Sequence, residues 1–238
     1  MKLLSQPQAS VKFVKTNNQK PNYLSTVLYL SPHKTSGVNL CPKASKGCIA
    51  SCLFTAGLAR SFPRINEYRN RKSLMFLNLR KEFLAQLRKD LTSFAKKAKK
   101  LGKLPAVRLN GTSDIQWEKV APSLFAEFPN IQFYDYTKIS KRFANKLPPN
   151  YHLTFSRSEN NWKECEQLLA AKHNVTVVFD VGRTKPLPTK YLGYKVIDGD
   201  KHDLRFLDKC GVIVGLRAKG KARKDFTGFV VRNWENLK

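Results

Sequence analysis

The chain has 238 residues, and its 44 lysines and arginines against 17 aspartates and glutamates give a formal net charge of +27. A hydrophobic content of 42% is enough for an apolar core, which excludes a wholly disordered chain. No apolar run reaches the about eighteen residues that cross a membrane, and the first residues turn polar too early for a secretory signal. Five unevenly spaced cysteines do not resemble a secreted disulfide framework. We therefore expect a soluble, cytoplasmic protein.

The excess of positive charge predicts a polyanionic partner. A net charge this high repels itself in the folded state, and binding of a polyanion relieves that repulsion. Nucleic acid is the commonest such partner, although a generally basic proteome or a need for solubility would also explain the charge. We expect nucleic acid or a phosphorylated ligand to bind this protein, and no membrane.

Three features come first along the chain. Residues 23–30 are apolar and form the first predicted strand, and a loop that contains three cysteines follows within residues 36–60. Apolar residues then recur at helical spacing over residues 64–101, with lysines and arginines between them. This pattern predicts one long, basic, amphipathic helix that ends before Gly102.

Beyond the helix, short apolar runs alternate with helical patterns. Six runs predict strands at residues 106–109, 131–134, 151–155, 175–179, 194–197 and 212–216, and helical spacing recurs at residues 117–128, 139–147 and 160–171. Such alternation predicts a parallel sheet that is covered on both faces. We predict a single α/β domain over residues 1–238, a TIM-barrel-like (β/α) partial barrel of about six to seven parallel strands. A doubly wound open sheet is the alternative.

Polar residues follow nearly every predicted strand. Because the carboxyl ends of parallel strands share one edge, where ligands bind, we expect a polar pocket there. The candidate catalytic residues are Asn110, Asp114, Asp135, Lys138, Ser156 and Arg157. The candidate cofactor-binding residues are Gly111, Thr112, Ser113, Asp198, Asp200, Gly215 and Arg217. Helix capping would explain a single polar residue such as Ser113 at the end of a strand, but it does not explain the cationic candidates Lys138, Arg157 and Arg217.

The cysteine loop predicts a metal site. Cys41, Cys48 and Cys52 are spaced C-x6-C-x3-C, and thiolates this close repel one another and oxidise readily unless a metal binds them. Three cysteines suit a [4Fe–4S] cluster that keeps one iron open. Structural zinc usually takes four ligands, and His33 or Cys165 could complete such a site. We predict a [4Fe–4S] cluster, with zinc as the alternative.

Several motifs resemble a phage-encoded family called gene product eighty-eight. They begin with VRLNGTSDI at residues 107–115, after the cysteines and the long helix, and continue at residues 133–138, 152–158, 198–200 and 212–216. Together they extend over most of the chain beyond the first strand. The resemblance implies a phage or mobile-element origin and no particular chemistry.

A more distant resemblance concerns the architecture of radical S-adenosylmethionine enzymes. In that family, three cysteines after the first strand of a partial barrel hold a [4Fe–4S] cluster whose open iron binds the methionine part of the cofactor. The spacing here departs from the usual C-x3-C-x2-C, and residues 110–114 stand where a Gly-Gly-Glu-type motif would follow the second strand. The resemblance implies an iron–sulfur enzyme, with S-adenosylmethionine as its candidate cofactor.

Three functions fit these patterns. The first is an iron–sulfur protein that acts on or near nucleic acid. The second is a basic nucleic-acid-binding protein of replication or regulation with a structural zinc site, whose phosphate contacts would come from the helical region and from Arg60, Arg64, Arg69, Arg71 and Lys72. The third is a magnesium-dependent nuclease that uses the carboxylates Asp114, Asp135, Asp180, Asp198 and Asp200.

Overall fold

The computed structural model describes residues 1–7 and 11–234. The strands in this part of the chain are β1 (Tyr23–Val27), β2 (Leu104–Arg108), β3 (Gln132–Thr137), β4 (Tyr151–Ser156), β5 (Val175–Phe179), β6 (Lys190–Tyr191), β7 (Tyr194–Asp198), β8 (Ile213–Arg217) and β9 (Val230–Val231). The α-helices are α1 (Val11–Gln19), α2 (Lys46–Ala50), α3 (Leu58–Ser61), α4 (Pro63–Asn78), α5 (Arg80–Lys100), α6 (Trp117–Val120), α7 (Ser123–Glu127) and α8 (Trp162–Ala170).

The nine strands form one open, mostly parallel sheet. Its order is β1-β2-β3-β4-β5-β8-β7-β6, and β9 pairs with the end of β5. Every pairing among these strands is parallel except that of β6 with β7. The mixed α/β class and all seven predicted strands are confirmed, but β6 and β9 raise the count to nine. The sheet does not close, and β8 lies between β5 and β7, so neither the predicted strand count nor a TIM-barrel identity is confirmed.

The prediction of a single helix over residues 64–101 is wrong, because the helix is interrupted at Leu79. This residue leaves helical geometry (φ −130°, ψ 58°) and both ends α4 and begins α5. Phe76 and Phe83 are buried on either side of this interruption, and their rings pack edge to face with their centres 5.2 Å apart. Both rings also contact Trp117. The break lets two consecutive helices place apolar side chains against the same part of the core.

Two of the shorter helical patterns also form different elements. The pattern at residues 117–128 becomes α6 and α7, which are separated at Ala121 and Pro122. The pattern at residues 139–147 forms only a 3₁₀ turn, Ser140–Ala144. The pattern at residues 160–171 is confirmed as α8. No helix within residues 1–7 and 11–234 is both long enough and apolar enough to cross a membrane.

The two faces of the sheet carry different layers. Helices α4 to α7 pack their apolar side chains on one face of β1 to β4, and α8 continues this layer over β5. Leu204 and Phe206 pack on the opposite face against Ala106 and Tyr134. Alternation along β3 explains the difference, because Phe133 points to the helices and Tyr134 points away from them.

Candidate functional site

The three cysteines of the loop lie near the carboxyl ends of β2 to β4. Cys48 is in α2, and Cys52 immediately precedes a 3₁₀ turn. The Cys41 Sγ lies 3.4 Å from the carbonyl oxygen of Thr112, which follows β2. All three side chains are partly exposed. The loop therefore lies at the sheet edge where the polar pocket was expected.

Burial and neighbouring charges both act on the thiol of Cys41. Burial raises its pKa to about 12, a backbone hydrogen bond at His33 lowers it, and the charges of Asp114, Cys52 and Cys48 raise it further. The three thiols are thus close enough to act on one another electrostatically. Among the residues that the structure describes, however, no three His, Cys, Asp or Glu side chains are arranged so that they could hold a metal ion. The sulfurs share one region without converging on one point.

Cations lie beside the thiol of Cys52. Burial raises its pKa, a backbone hydrogen bond at Phe54 lowers it and the charge of Cys48 raises it, while Arg69 and Lys138 favour the thiolate. Positive charge on one side of the thiol would stabilise an anionic group formed there.

Glu159, which follows β4, holds the cysteine loop in place. Its carboxylate accepts hydrogen bonds from the Ser45 hydroxyl at 2.6 Å and from the Gly47 amide at 2.8 Å. The Ser45 hydroxyl in turn accepts a hydrogen bond from the amide of Cys48. These bonds lower the pKa of Glu159 against the opposing effect of burial. A carboxylate more than a hundred residues along the chain therefore positions the segment that carries the second cysteine.

We expect Gly47→Ala to lower the free energy of unfolding by about 1–3 kcal/mol, because α2 packs too closely for a side chain at this position. A Cβ on Gly47 would lie 2.2 Å from the Thr227 Oγ1 and 2.7 Å from the Phe229 Cβ. Urea unfolding followed by circular dichroism measures the effect. Gly182→Ala is the control, because its nearest neighbour would be 3.4 Å away. Equal stability of the two variants would contradict this packing.

Asn110 is committed to the turn that follows β2. Its side-chain oxygen accepts hydrogen bonds from the Ser113 hydroxyl, the Ile115 amide and the Trp117 indole. Its side-chain nitrogen donates to the Ile115 carbonyl and to the Asp135 carboxylate. The side chain is 1% exposed. The structure gives Asn110 a scaffolding role, and its assignment as a catalytic residue stays a prediction.

Asp135 is buried at the centre of the same network. Its carboxylate accepts hydrogen bonds from the Asn110 amide at 2.6 Å and from the Tyr151 hydroxyl at 2.6 Å. Burial raises the pKa of Asp135 to about 7, against the effect of these hydrogen bonds. Asp135 lies on the helix-covered side of the sheet rather than at an open edge, because it alternates with the oppositely directed Tyr134 and Tyr136.

Arg142 connects Asp114 to this network, and the sequence patterns did not single it out. Its fully buried guanidinium lies 3.4 Å from the Asp114 carboxylate and 2.7 Å from that of Glu118, and it donates to the Tyr151 hydroxyl at 2.9 Å. Asp114 also accepts a hydrogen bond from the Lys138 amide. Burial raises the pKa of Asp114, against hydrogen bonding at Lys138 and the charge of Arg142.

Lys138, Ser156 and Arg157 lie at the ends of neighbouring strands. The Lys138 ammonium is 5.5 Å from the centre of the Phe229 ring. Arg157 donates hydrogen bonds to the carbonyl oxygens of Gly228 and Phe229. Ser156 is the half-buried last residue of β4. The two cations therefore lie against the same C-terminal segment that packs on α2.

Three candidate cofactor-binding residues belong to the turn after β2. Gly111 allows a close approach, because a Cβ there would lie 2.4 Å from the ring of Tyr29. Thr112 donates a hydrogen bond to the Leu30 carbonyl, and Ser113 donates to Asn110. These contacts tie the turn to the end of β1, beneath the cysteine loop.

The other four candidates lie together at the ends of β7 and β8. Arg217 contacts the carboxylates of Asp198 at 3.1 Å and of Asp200 at 3.3 Å, and Lys219 pairs with Asp200. Gly215 lies under Val196, where a Cβ would approach within 2.8 Å. Of the remaining nuclease candidates, Asp180 pairs with Arg232, and Asp114 with Arg142.

The sequence patterns also missed a polar cluster on the opposite face of the sheet. Arg108 pairs with Asp203 at 3.2 Å and stacks over the ring of Tyr136, whose hydroxyl also donates to Asp203. On the same face, the buried polar atoms of the described residues that have no hydrogen-bond partner include the Tyr134 hydroxyl, the His152 Nε2, the Thr154 hydroxyl and the Thr176 hydroxyl. Strict alternation along β3 and β4 is the signal that could have predicted this polar face.

Of the predicted phosphate-binding cations, Lys72 is buried and Arg69 is partly buried. Lys72 is 5% exposed and donates a hydrogen bond to the Leu3 carbonyl. Arg69 is enclosed by the rings of Tyr29 and Phe54, at 4.8 and 5.6 Å. The side chain of Arg60 lies outside the part of the chain that the structure describes. The burial of Lys72 disfavours a phosphate contact there, and the phosphate contacts of the other four residues stay predictions.

The structure therefore defines a class of α/β protein that has an open, mostly parallel sheet and a three-cysteine loop at the carboxyl edge of that sheet. A family model described as Gene product 88 matches residues 2–233, so the chain belongs to that family, as its motifs predicted. No curated protein and no solved structure matches the chain. These comparisons add no support to the likeness to radical S-adenosylmethionine enzymes.

Proposed function

We propose that this chain is an iron–sulfur protein whose Cys41, Cys48 and Cys52 hold a [4Fe–4S] cluster. The observation that carries the proposal is that the three thiols share one loop at the carboxyl edge of a parallel sheet, where the Cys41 Sγ contacts the turn after β2 and the charges of Cys52 and Cys48 raise the pKa of Cys41. Because the sulfurs do not converge on one point in the described structure, the loop would have to close around the cluster. Ligands in open parallel sheets bind at this edge. The partial-barrel architecture is part of the same proposal.

The chemistry of the donors fits iron. Thiolates are the ligands that iron–sulfur clusters use, and the cations of Arg69 and Lys138 lie where they would offset the negative charge of a thiolate-bound cluster. Because burial raises the pKa of Cys41 and of Cys52, a bound cation would be needed to hold them as thiolates at neutral pH. When bound, the cluster would supply an open iron for Lewis-acid chemistry or an electron for reductive cleavage of S-adenosylmethionine.

Anaerobic purification with iron and sulfide analysis tests this proposal. We expect brown protein with about four irons per chain, and near-complete loss of iron and colour in Cys41→Ser, Cys48→Ser and Cys52→Ser. Cys210→Ser is the matched control, because Cys210 is exposed and outside the loop. Colourless protein without iron would contradict the proposal, and one equivalent of zinc would favour the structural zinc site. Release of 5′-deoxyadenosine from S-adenosylmethionine by the reduced protein would identify that cofactor.

A second candidate function is nucleic-acid binding, with or without catalysis. The net charge of +27 supports it, and so do the exposed lysines at the end of α5, namely Lys96, Lys97, Lys99 and Lys100. A magnesium-dependent nuclease is supported less, because several of its carboxylates pair with arginine or lysine. Metal-dependent cleavage of DNA that survives Cys41→Ser would favour the nuclease.

A further inference from the structure

A cleft of about 770 Å³ opens beside the cysteine loop. One wall includes Ala50 and Ser51, which lie between the second and third cysteines, and the other includes Lys221, Lys224 and Phe226. Asp225, in the second wall, also hydrogen-bonds the Ser51 side chain. The cleft therefore adjoins the proposed metal site directly.

Phe226 is held in an exposed position at the cleft. It is 82% exposed, the highest value among the large hydrophobic side chains that the structure describes. The guanidinium of Arg232 lies over one face of the ring, 4.3 Å from its centre. Arg232 is itself fixed, because it donates to the carbonyl oxygens of Asp225 and Arg223 and pairs with Asp180. Core packing does not explain a phenylalanine so exposed, whereas a ring with one backed face and one open face can stack with a base.

Positive charge flanks this ring. Lys221 and Lys224 are exposed, and neither forms an ion pair with any residue in the described part of the chain. Two free ammonium groups beside an aromatic ring match the alternation of phosphates and bases along a nucleic-acid strand. The bases of a duplex are already stacked on one another, whereas those of a single strand are free to stack on a protein ring.

We propose that this cleft binds single-stranded nucleic acid, with a base stacked on the open face of Phe226 and the adjacent phosphates on Lys221 and Lys224. The inference rests on the nucleic-acid candidate above and does not depend on the metal. A strand bound here runs beside Ala50 and Ser51, and so passes next to the cysteine loop.

Fluorescence anisotropy of the full chain with a labelled oligo(dT) of about 16 nucleotides tests the site. We expect Phe226→Ala to weaken binding about tenfold, which is about 1.4 kcal/mol, because the variant loses one base stacked on an aromatic side chain. Phe226→Trp should retain binding, and the oligonucleotide should quench its added fluorescence. Leu104→Ala is the control for truncation of an exposed apolar side chain, since Leu104 is 55% exposed and does not line the cleft.

A charge-matched pair of variants tests the phosphate contacts. The plot of the logarithm of the association constant against the logarithm of the salt concentration has a negative slope. In Lys221→Ala with Lys224→Ala, the magnitude of this slope should decrease by about 1.4, which is about 0.7 for each lost phosphate contact with a single strand. Lys190→Ala with Lys195→Ala removes the same charge from exposed positions that face each other across β6 and β7, outside the cleft, and should change affinity less than threefold. Equal weakening by the two pairs would overturn the site and leave general electrostatic binding.

The remaining outcomes distinguish failure of the proposed cleft site from failure of the proposed nucleic-acid-binding function. Binding by the wild type that is insensitive to Phe226→Ala would overturn the cleft alone. Tighter binding of a duplex of the same length would overturn the single-stranded specificity. Absence of binding by the wild type at low salt would overturn both the cleft and the nucleic-acid candidate.

Discussion

Arg142→Met is expected to lower the free energy of unfolding by about 3–5 kcal/mol. The guanidinium is fully buried and lies between the carboxylates of Asp114 and Glu118, which are themselves only 11% and 13% exposed. Methionine fills a similar volume but leaves two buried carboxylates and the Tyr151 hydroxyl without their cationic partner. The loss of stability arises because these buried polar groups lack a partner, and not because the substitution leaves a cavity.

Arg88→Met is the matched control for this prediction. Arg88 also contacts a carboxylate bidentately, that of Glu127, but the two side chains are 37% and 36% exposed. Exposed pairs contribute about 0–1 kcal/mol, because water solvates both partners when the pair is broken. Urea unfolding of the two variants measures the contrast. A loss below about 1 kcal/mol in Arg142→Met would show that the buried carboxylates find other partners or take up protons.

The second large effect is a dependence of stability on pH that originates at Asp135. We expect the stability of the wild type, measured relative to Asp135→Asn, to fall by about 3 kcal/mol from about pH 4 to about pH 7. Burial raises the folded-state pKa to about 7 from the ordinary value of 3.8. Between these values the unfolded chain binds fewer protons than the folded protein does, so stability decreases as pH rises.

Chemical denaturation of the two proteins across this pH range tests the prediction. Asparagine does not titrate, so the difference between the curves isolates the contribution of Asp135 from those of other buried groups, such as His152, whose pKa burial lowers to about 4. Above about pH 7 the difference should become constant. A difference that is constant throughout the range would mean that the hydrogen bonds from Tyr151 and Asn110 keep the carboxylate ionised.

Much of the fold was predictable because each strand is a local pattern. The run at residues 175–179 coincides with β5, and the pattern at residues 160–171 contains all of α8. The break at Leu79 was not predictable, because hydrophobic periodicity continues through it and Trp117, distant in sequence, contacts the rings on both sides. The placement of β8 beside β5 is equally non-local.

The grouping of polar residues at the carboxyl edge of the sheet was predictable, but the contacts that each of them makes were not. Polar residues after strands correctly placed Asp114 and Lys138 near the cysteines. The sequence does not reveal that the Asn110 side chain hydrogen-bonds within its own turn. Nor does it reveal that Arg217 forms ion pairs with both Asp198 and Asp200. Such roles depend on which partners the tertiary structure supplies. No periodic signal in the sequence marks Phe226, because only the folded chain determines how exposed its side chain is.

The bond between Ser45 and Glu159 spans 114 residues, and α2 also packs against Thr227 and Phe229. During synthesis the segment that carries the second cysteine therefore gains these contacts only after Glu159, Thr227 and Phe229 have left the ribosome. Long-range contacts of this kind form late, after the local elements. A cofactor that needs the finished loop would accordingly be inserted only after these later segments have been made and have packed on α2.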